Sequence, residues 1–242
     1  WSERLPGNLS ARGFSRRTND ASFFGWNGGD ATAQIHYNLQ QTDTWSFGLN
    51  TSFRSVYEGD IAGGSTPIGE GMSSGLRFAK AIGDTAGIAF GGEQIFQWDD
   101  FTDTGRNFYV MGSKGWWLGD EYNYPLFIAN GGIGTGRFAN NRKWDNPLRF
   151  ACIEDVEDRI ESYEIDNDLC WSPIGTTSII FNENFGSFLE YHAGNALLGT
   201  SFTFANQSVL PTTLTWGIKI ASRNELKEIE KLTWFFRVSV AF

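Results

Sequence analysis

The strongest constraint on this chain is a period of two. Residues 232–242 read Leu-Thr-Trp-Phe-Phe-Arg-Val-Ser-Val-Ala-Phe. One phase is Leu232, Trp234, Phe236, Val238, Val240 and Phe242. The other is Thr233, Phe235, Arg237, Ser239 and Ala241. A strand sends alternate side chains to opposite faces. One face here is therefore apolar and bulky. The other is mostly small or polar and carries an arginine. A strand with an apolar medium on one side and a polar interior on the other needs this pattern.

The alternation recurs along the chain. Ala31, Ala33, Ile35, Tyr37 and Leu39 alternate with Thr32, Gln34, His36, Asn38 and Gln40. Trp45, Phe47, Leu49, Thr51 and Phe53 alternate with Ser46, Gly48, Asn50, Ser52 and Arg54. Segments near 86–97, 198–205 and 213–220 repeat it. In a soluble sandwich the polar phase faces open water. Here that phase is crowded with Gly, Ala and Ser, which suits the confined interior of a small barrel.

Composition agrees. The chain has 242 residues and no run of 18 apolar ones, so no helical span is expected. Aromatics make up 16%, with 29 Gly and only 6 Pro, a balance suited to many-stranded sheets. No charged n-region with an apolar core opens the chain. Trp1 is therefore read as a processed start, with a signal peptide presumed removed. A pI near 4.7 and the lack of a basic patch argue against nucleic acid. A soluble, aromatic-rich β-sandwich binding module shares most of this composition and stands as the non-membrane alternative.

Loop lengths give an independent count. Tight turns at 41–43 and 83–85, a turn near 185–186 and another at 206–211 are placed at one end. Segments 58–69, 99–105, 222–231 and one very long loop, 137–175, go to the other. A further strand is needed within 9–26, giving an even total of about twelve. Strands 108–118 and 124–136 are ambiguous, because Lys114 and Asn130 fall where outward side chains are expected. The whole of 1–242 is read as a single all-β, antiparallel transmembrane β-barrel domain containing the long outside loop.

That loop contains both cysteines, Cys152 and Cys170. In an oxidising compartment they suit one disulfide, worth about 3 kcal/mol on the chain-entropy estimate. Between them eight acidic residues face Arg159 alone, a local charge of −7 against −9 for the chain. Ile153, Val156, Ile160 and Tyr163 have helical spacing. Asp166 and Asp168 are weak calcium candidates, since the spacing and terminal Glu of a calcium loop are missing. No other metal site and no cofactor are expected.

Charges on the small-residue phase form a second constellation: Arg54, Arg77, Lys219 and Arg237, with Glu93, Glu190 and His192. Buried charges require partners. An internal salt-bridge network filling the lumen and a charged constriction selecting solutes both fit. Catalytic signals are thin, and no catalytic residue is assigned. Gly132-Ile-Gly134-Thr-Gly136 reads as close packing rather than a nucleotide loop. His192 with Ser187 or Ser201 imitates a barrel-borne lipid hydrolase, which stays open as an alternative.

With its terminal aromatic strand and repeated alternation from about residue 31, the chain resembles the porin-like bacterial outer-membrane β-barrel proteins. The resemblance implies a Gram-negative-type envelope and no prosthetic group. It implies contact with the bilayer and lipopolysaccharide, and with the barrel-assembly machinery, for which Phe242 is the signal. The expected function is a passive channel for small hydrophilic solutes or ions. A structural or adhesive barrel with a filled lumen is the alternative within the class.

Overall fold

A computed structural model describes residues 7–17, 30–53, 71–99, 106–120, 123–135, 138, 152–153, 169–192, 195–204, 210–222 and 231–242. Fourteen strands run through them: β1 Gly7–Arg17, β2 Asp30–Gln41, β3 Trp45–Phe53, β4 Met72–Ile82, β5 Ala86–Gln97, β6 Asn107–Trp117, β7 Leu126–Gly134, β8 Cys152–Ile153, β9 Leu169–Cys170, β10 Ser172–Ile180, β11 Phe185–His192, β12 Asn195–Thr203, β13 Thr212–Ser222 and β14 Lys231–Ala241. Twelve of them close into one antiparallel barrel, and β8 pairs with β9 as a separate ladder. Closure comes from β1 against β14, where Ser10 faces Ser239 and Arg12 faces Arg237. Barrel neighbours follow chain order, with β7 joined to β10 across the long connection.

The alternation sets which face is which. Among the described residues, Leu126, Leu197 and Phe235 are the only buried hydrophobics. Twenty-seven large hydrophobics are exposed. They include Ile35, Tyr37, Leu49, Ile88, Phe90, Val110, Leu189, Leu198, Phe202, Trp216 and Phe236, on the outward phase of their strands. The register carries that phase across the wall, as in Leu49↔Leu76, Phe78↔Phe90 and Trp216↔Phe236. Hence the apolar belt faces outward, and small and polar side chains face the lumen.

Both described chain ends lie at one end of the barrel, called here the terminal end. Connections 42–44, 83–85 and 181–184 are short and lie there; 18–29, 54–71 and 135–171 join strands at the opposite, loop end. The turn expected at 185–186 is displaced to 181–184. Asn182 Oδ1 accepts from the backbone N–H groups of Asn184 and Phe185, each at 2.9 Å, so an Asx turn fixes the reversal there. Strand β10 also starts inside the expected loop, at Ser172. The first strand, expected within 9–26, is β1.

Aromatic clusters mark the terminal end of the outward face. Trp45 stacks on Phe78 at 6.0 Å, and Phe78 meets Phe90 at 5.0 Å. Trp116 meets Phe127 at 5.6 Å, and Phe185 lies between Phe181 and Phe202 at 5.4 and 4.8 Å. Such pairs each add about 0.5–1.5 kcal/mol beyond area burial.

The small inward phase has a packing reason. A Cβ on Gly217 would lie 2.6 Å from the Phe235 ring, and one on Gly199 would collide with the Phe188 ring. A Cβ on Gly91 would lie 2.6 Å from the Tyr109 hydroxyl. The inward rings thus lie flat along glycine-paved wall instead of crossing the lumen.

Candidate functional site in the lumen

The inward phase brings most of the expected charged residues into one lumen. Arg77 lies on β4, Glu93 on β5, Glu190 and His192 on β11, Lys219 on β13 and Arg237 on β14. Each shares a phase with small or buried inward neighbours: Arg77 pairs with Gly48 and Gly91, and Glu190 and Lys219 both pair with the buried Leu197. Arg54 lies outside the described residues, as do Asp166, Asp168 and the acidic residues between the cysteines. Ile153, the first of the four helically spaced residues, sits in strand β8, and the other three are outside the described residues.

One residue of the site went unrecognised in the sequence. Arg12, on β1, is the direct cross-strand partner of Arg237. Its guanidinium lies 4.2 Å from the centroid of the Phe235 ring, a cation–π distance. The signal was present in Asn8-Leu9-Ser10-Ala11-Arg12, whose polar members share one phase. The run is short, and its apolar members are modest in size.

Glu190 and His192 are two residues apart and point to the same face. His192 Nδ1 lies 2.8 Å from Glu190 Oε1. Glu190 also interacts electrostatically with Arg12 and Arg237, across the intervening β12 and β13. The cations therefore occupy one arc: Arg77 on β4, Arg12 on β1, Arg237 on β14 and Lys219 on β13. The carboxylates flank it, Glu190 on β11 and Glu93 on β5.

A bulge places Glu93. Glu93, Gln94 and Ile95 together oppose Gly75, between the pairs Leu76↔Gly92 and Ser74↔Phe96. Gln94 has φ 56°, and its Oε1 accepts from Asn107 Nδ2 at 2.8 Å. Bulges re-aim side chains and sharpen local twist. Here the result is a carboxylate with 8% exposure on the inner wall. Gly75 is required, because a Cβ there would collide with the Gly92 carbonyl.

A cavity of about 230 Å³ lies between these carboxylates. Tyr109, Met111, Phe138, Ile174 and His192 line it with Glu93 and Glu190. Phe138 belongs to the long connection after β7 and meets Tyr109 edge-on at 5.8 Å. Its backbone N–H donates to Thr135 O at 3.1 Å. The described start of that connection is therefore turned against the inner wall.

The two ambiguous strands resolve through their register. Lys114 lies on the outward phase, close to the 83–85 turn, where its Nζ donates to Thr85 Oγ1 at 2.8 Å. Asn130 faces inward, opposite Ser113 and Thr176. Gly132 and Gly134 serve close approach: a Cβ on Gly132 would collide with Val110 O, and one on Gly134 would lie 2.7 Å from Phe138 Cβ.

The serines considered beside His192 are elsewhere. Ser187 is on the outward phase, opposite Thr200 and Ile179. Ser201 is opposite Gly186, roughly 20 Å along β11 from His192 at about 3.3 Å per residue. Its Oγ is 3.0 Å from Thr215 Oγ1. In the long connection, Cys152 and Cys170 are directly opposed in the β8–β9 ladder. No family model matches the chain, and no curated protein matches it in sequence.

Proposed function

We propose that this protein is a bacterial outer-membrane β-barrel acting as a passive channel for small hydrophilic solutes or ions. The observation that carries the reading is the inverted burial. Three buried hydrophobics against twenty-seven exposed ones, among the described residues, leave a soluble barrel without an apolar core. A bilayer would cover the outward belt, and strands of 8–12 residues match its thickness. Aromatic clusters suit the interface with headgroups and lipopolysaccharide.

Passage draws on the wall-hugging inward rings and on Arg77 and Arg237, both on the inward phase and both exposed. Twelve strands lie between small barrels filled by side chains and wide aqueous porins. Single-channel recording in planar bilayers tests the reading. Discrete conductance steps are expected; a folded barrel that gives none would be a filled one. That second reading draws on Phe138, seated on Tyr109 within the lumen.

A disulfide between Cys152 and Cys170 belongs to the same proposal. Directly opposed antiparallel residues have Cα atoms about 4.5–5.5 Å apart, inside the range a disulfide spans. Intact-mass measurement of the alkylated, non-reduced chain should show no adduct on either cysteine. Two adducts on freshly isolated protein would mean free thiols.

A further inference from the structure

We propose that the lumen selects small anions, solutes bearing a carboxylate or phosphate, at a site centred on Arg12 and Arg237. The inference rests on the channel reading above and adds the class of solute.

The first observation is the register. Arg12 and Arg237 are direct cross-strand partners on the inward phase of the closing pair. Directly opposed like charges repel and destabilise a ladder. An anion seated at Arg237, beside Arg12, offsets that repulsion. Glu190 interacts electrostatically with both, and it also lies 2.8 Å from His192.

The second observation is presentation. Arg12 lies along the Phe235 ring at 4.2 Å, and Phe235 is held against the wall where Gly217 makes room. Arg237 is exposed. Its planar guanidinium suits bidentate contact with carboxylate or phosphate oxygens.

The third observation is the sign of the wall. Among the inward-phase residues whose side chains the structure describes there are four cations, Arg12, Arg77, Lys219 and Arg237, and two carboxylates, Glu93 and Glu190. Their net charge is +2 before His192, opposite to the −9 of the chain. Fields inside a channel with low-dielectric walls are focused, so the wall counts for more than the chain's total.

The test uses the full chain in planar bilayers under a potassium chloride gradient. Chloride should permeate better than potassium, and added citrate should interrupt the current. In R237Q the chloride-to-potassium ratio should fall roughly fivefold, the effect of one unit charge at close range in water. Citrate block should weaken with it, R237K should keep most of both, and R12Q should repeat the loss if R237Q fails to fold. The outward variant K114Q should match the parent. Clean steps with potassium preference, or R237Q and R12Q both indistinguishable from the parent, would overturn the anion site and leave the channel standing. Absence of any step would overturn the channel reading itself.

Discussion

The wall made by β13, β14 and β1 turns Lys219, Arg237 and Arg12 inward, whereas the wall made by β6, β7 and β10 turns Met111, Ile128 and Ile174 inward. Both walls obey the same two-residue period and the same ladder. On the first, bulky apolar groups stand mostly outward, and the inward phase carries charge and small residues with Phe235 as its one large ring on β14. On the second, both phases are bulky, as in the neighbours Trp116 and Trp117. The first wall supplies the field. The second supplies filling, and it receives Phe138 from the long connection through Tyr109. A closed sheet can thus carry charge on one side of its lumen and apolar bulk on the other without changing its backbone.

Charge reversal on the first wall should break the comparison most strongly. R12E/R237E should convert the channel from chloride to potassium preference, a swing of more than about tenfold, because two unit charges change sign. Reversal potentials read this directly. The same measurement on M111Q, across the lumen, should show no change of preference.

Steric substitution should separate the walls next. Gly217→Leu displaces the Phe235 ring that carries Arg12, and should cost about 1–3 kcal/mol as overpacking. A Cβ on Gly131, on the outward face of the second wall, meets nothing within 4 Å. Gly131→Ala should therefore stay within about 0.5 kcal/mol of the parent. Urea unfolding from lipid vesicles, followed by tryptophan emission, compares them.

Removing the carboxylate from the first wall should sharpen its field. Glu190→Gln takes the counter-charge from Arg12 and Arg237, so chloride preference should rise by roughly threefold, part of the effect of a unit charge in water. Among the lumen variants, Phe138→Ala should alter permeation least. Loss of the edge-on contact with Tyr109 should cost about 0.5–1.5 kcal/mol, raise the step size modestly and leave selectivity unchanged.

The closed all-β barrel and its strand number were legible because most strands keep the majority of their bulky groups on one phase. Strand β14 shows this, with Trp234, Phe236, Val238 and Val240 outward against Arg237 and Ser239, and Phe235 alone among its large groups inward. On the second wall the strands were legible, but the facing of Lys114 and Asn130 was not. Lys114 stands outward because its Nζ reaches Thr85 near a turn, and Asn130 stands inward among Ser113 and Thr176. No local pattern separates those outcomes. The Glu93 bulge was invisible because it inserts residues without changing the phase of Phe96 and Gln97. Arg12 was missed for a different reason. Its significance depends on β1 closing against β14, a pairing between the two ends of the chain that strand period alone does not specify. The facing of Cys152 and Cys170 needed only spacing and compartment to be expected as a pair.

The claim on which everything else depends is that the outward belt is covered by lipid. The direct measurement compares the purified chain with and without amphiphile, by light scattering and far-ultraviolet circular dichroism. A β-rich, monodisperse particle should exist in detergent micelles or lipid discs, and removal of the amphiphile should cause association or loss of fold. A chain that stays folded and monodisperse in plain buffer would contradict the account, since twenty-seven exposed large hydrophobics would then face water.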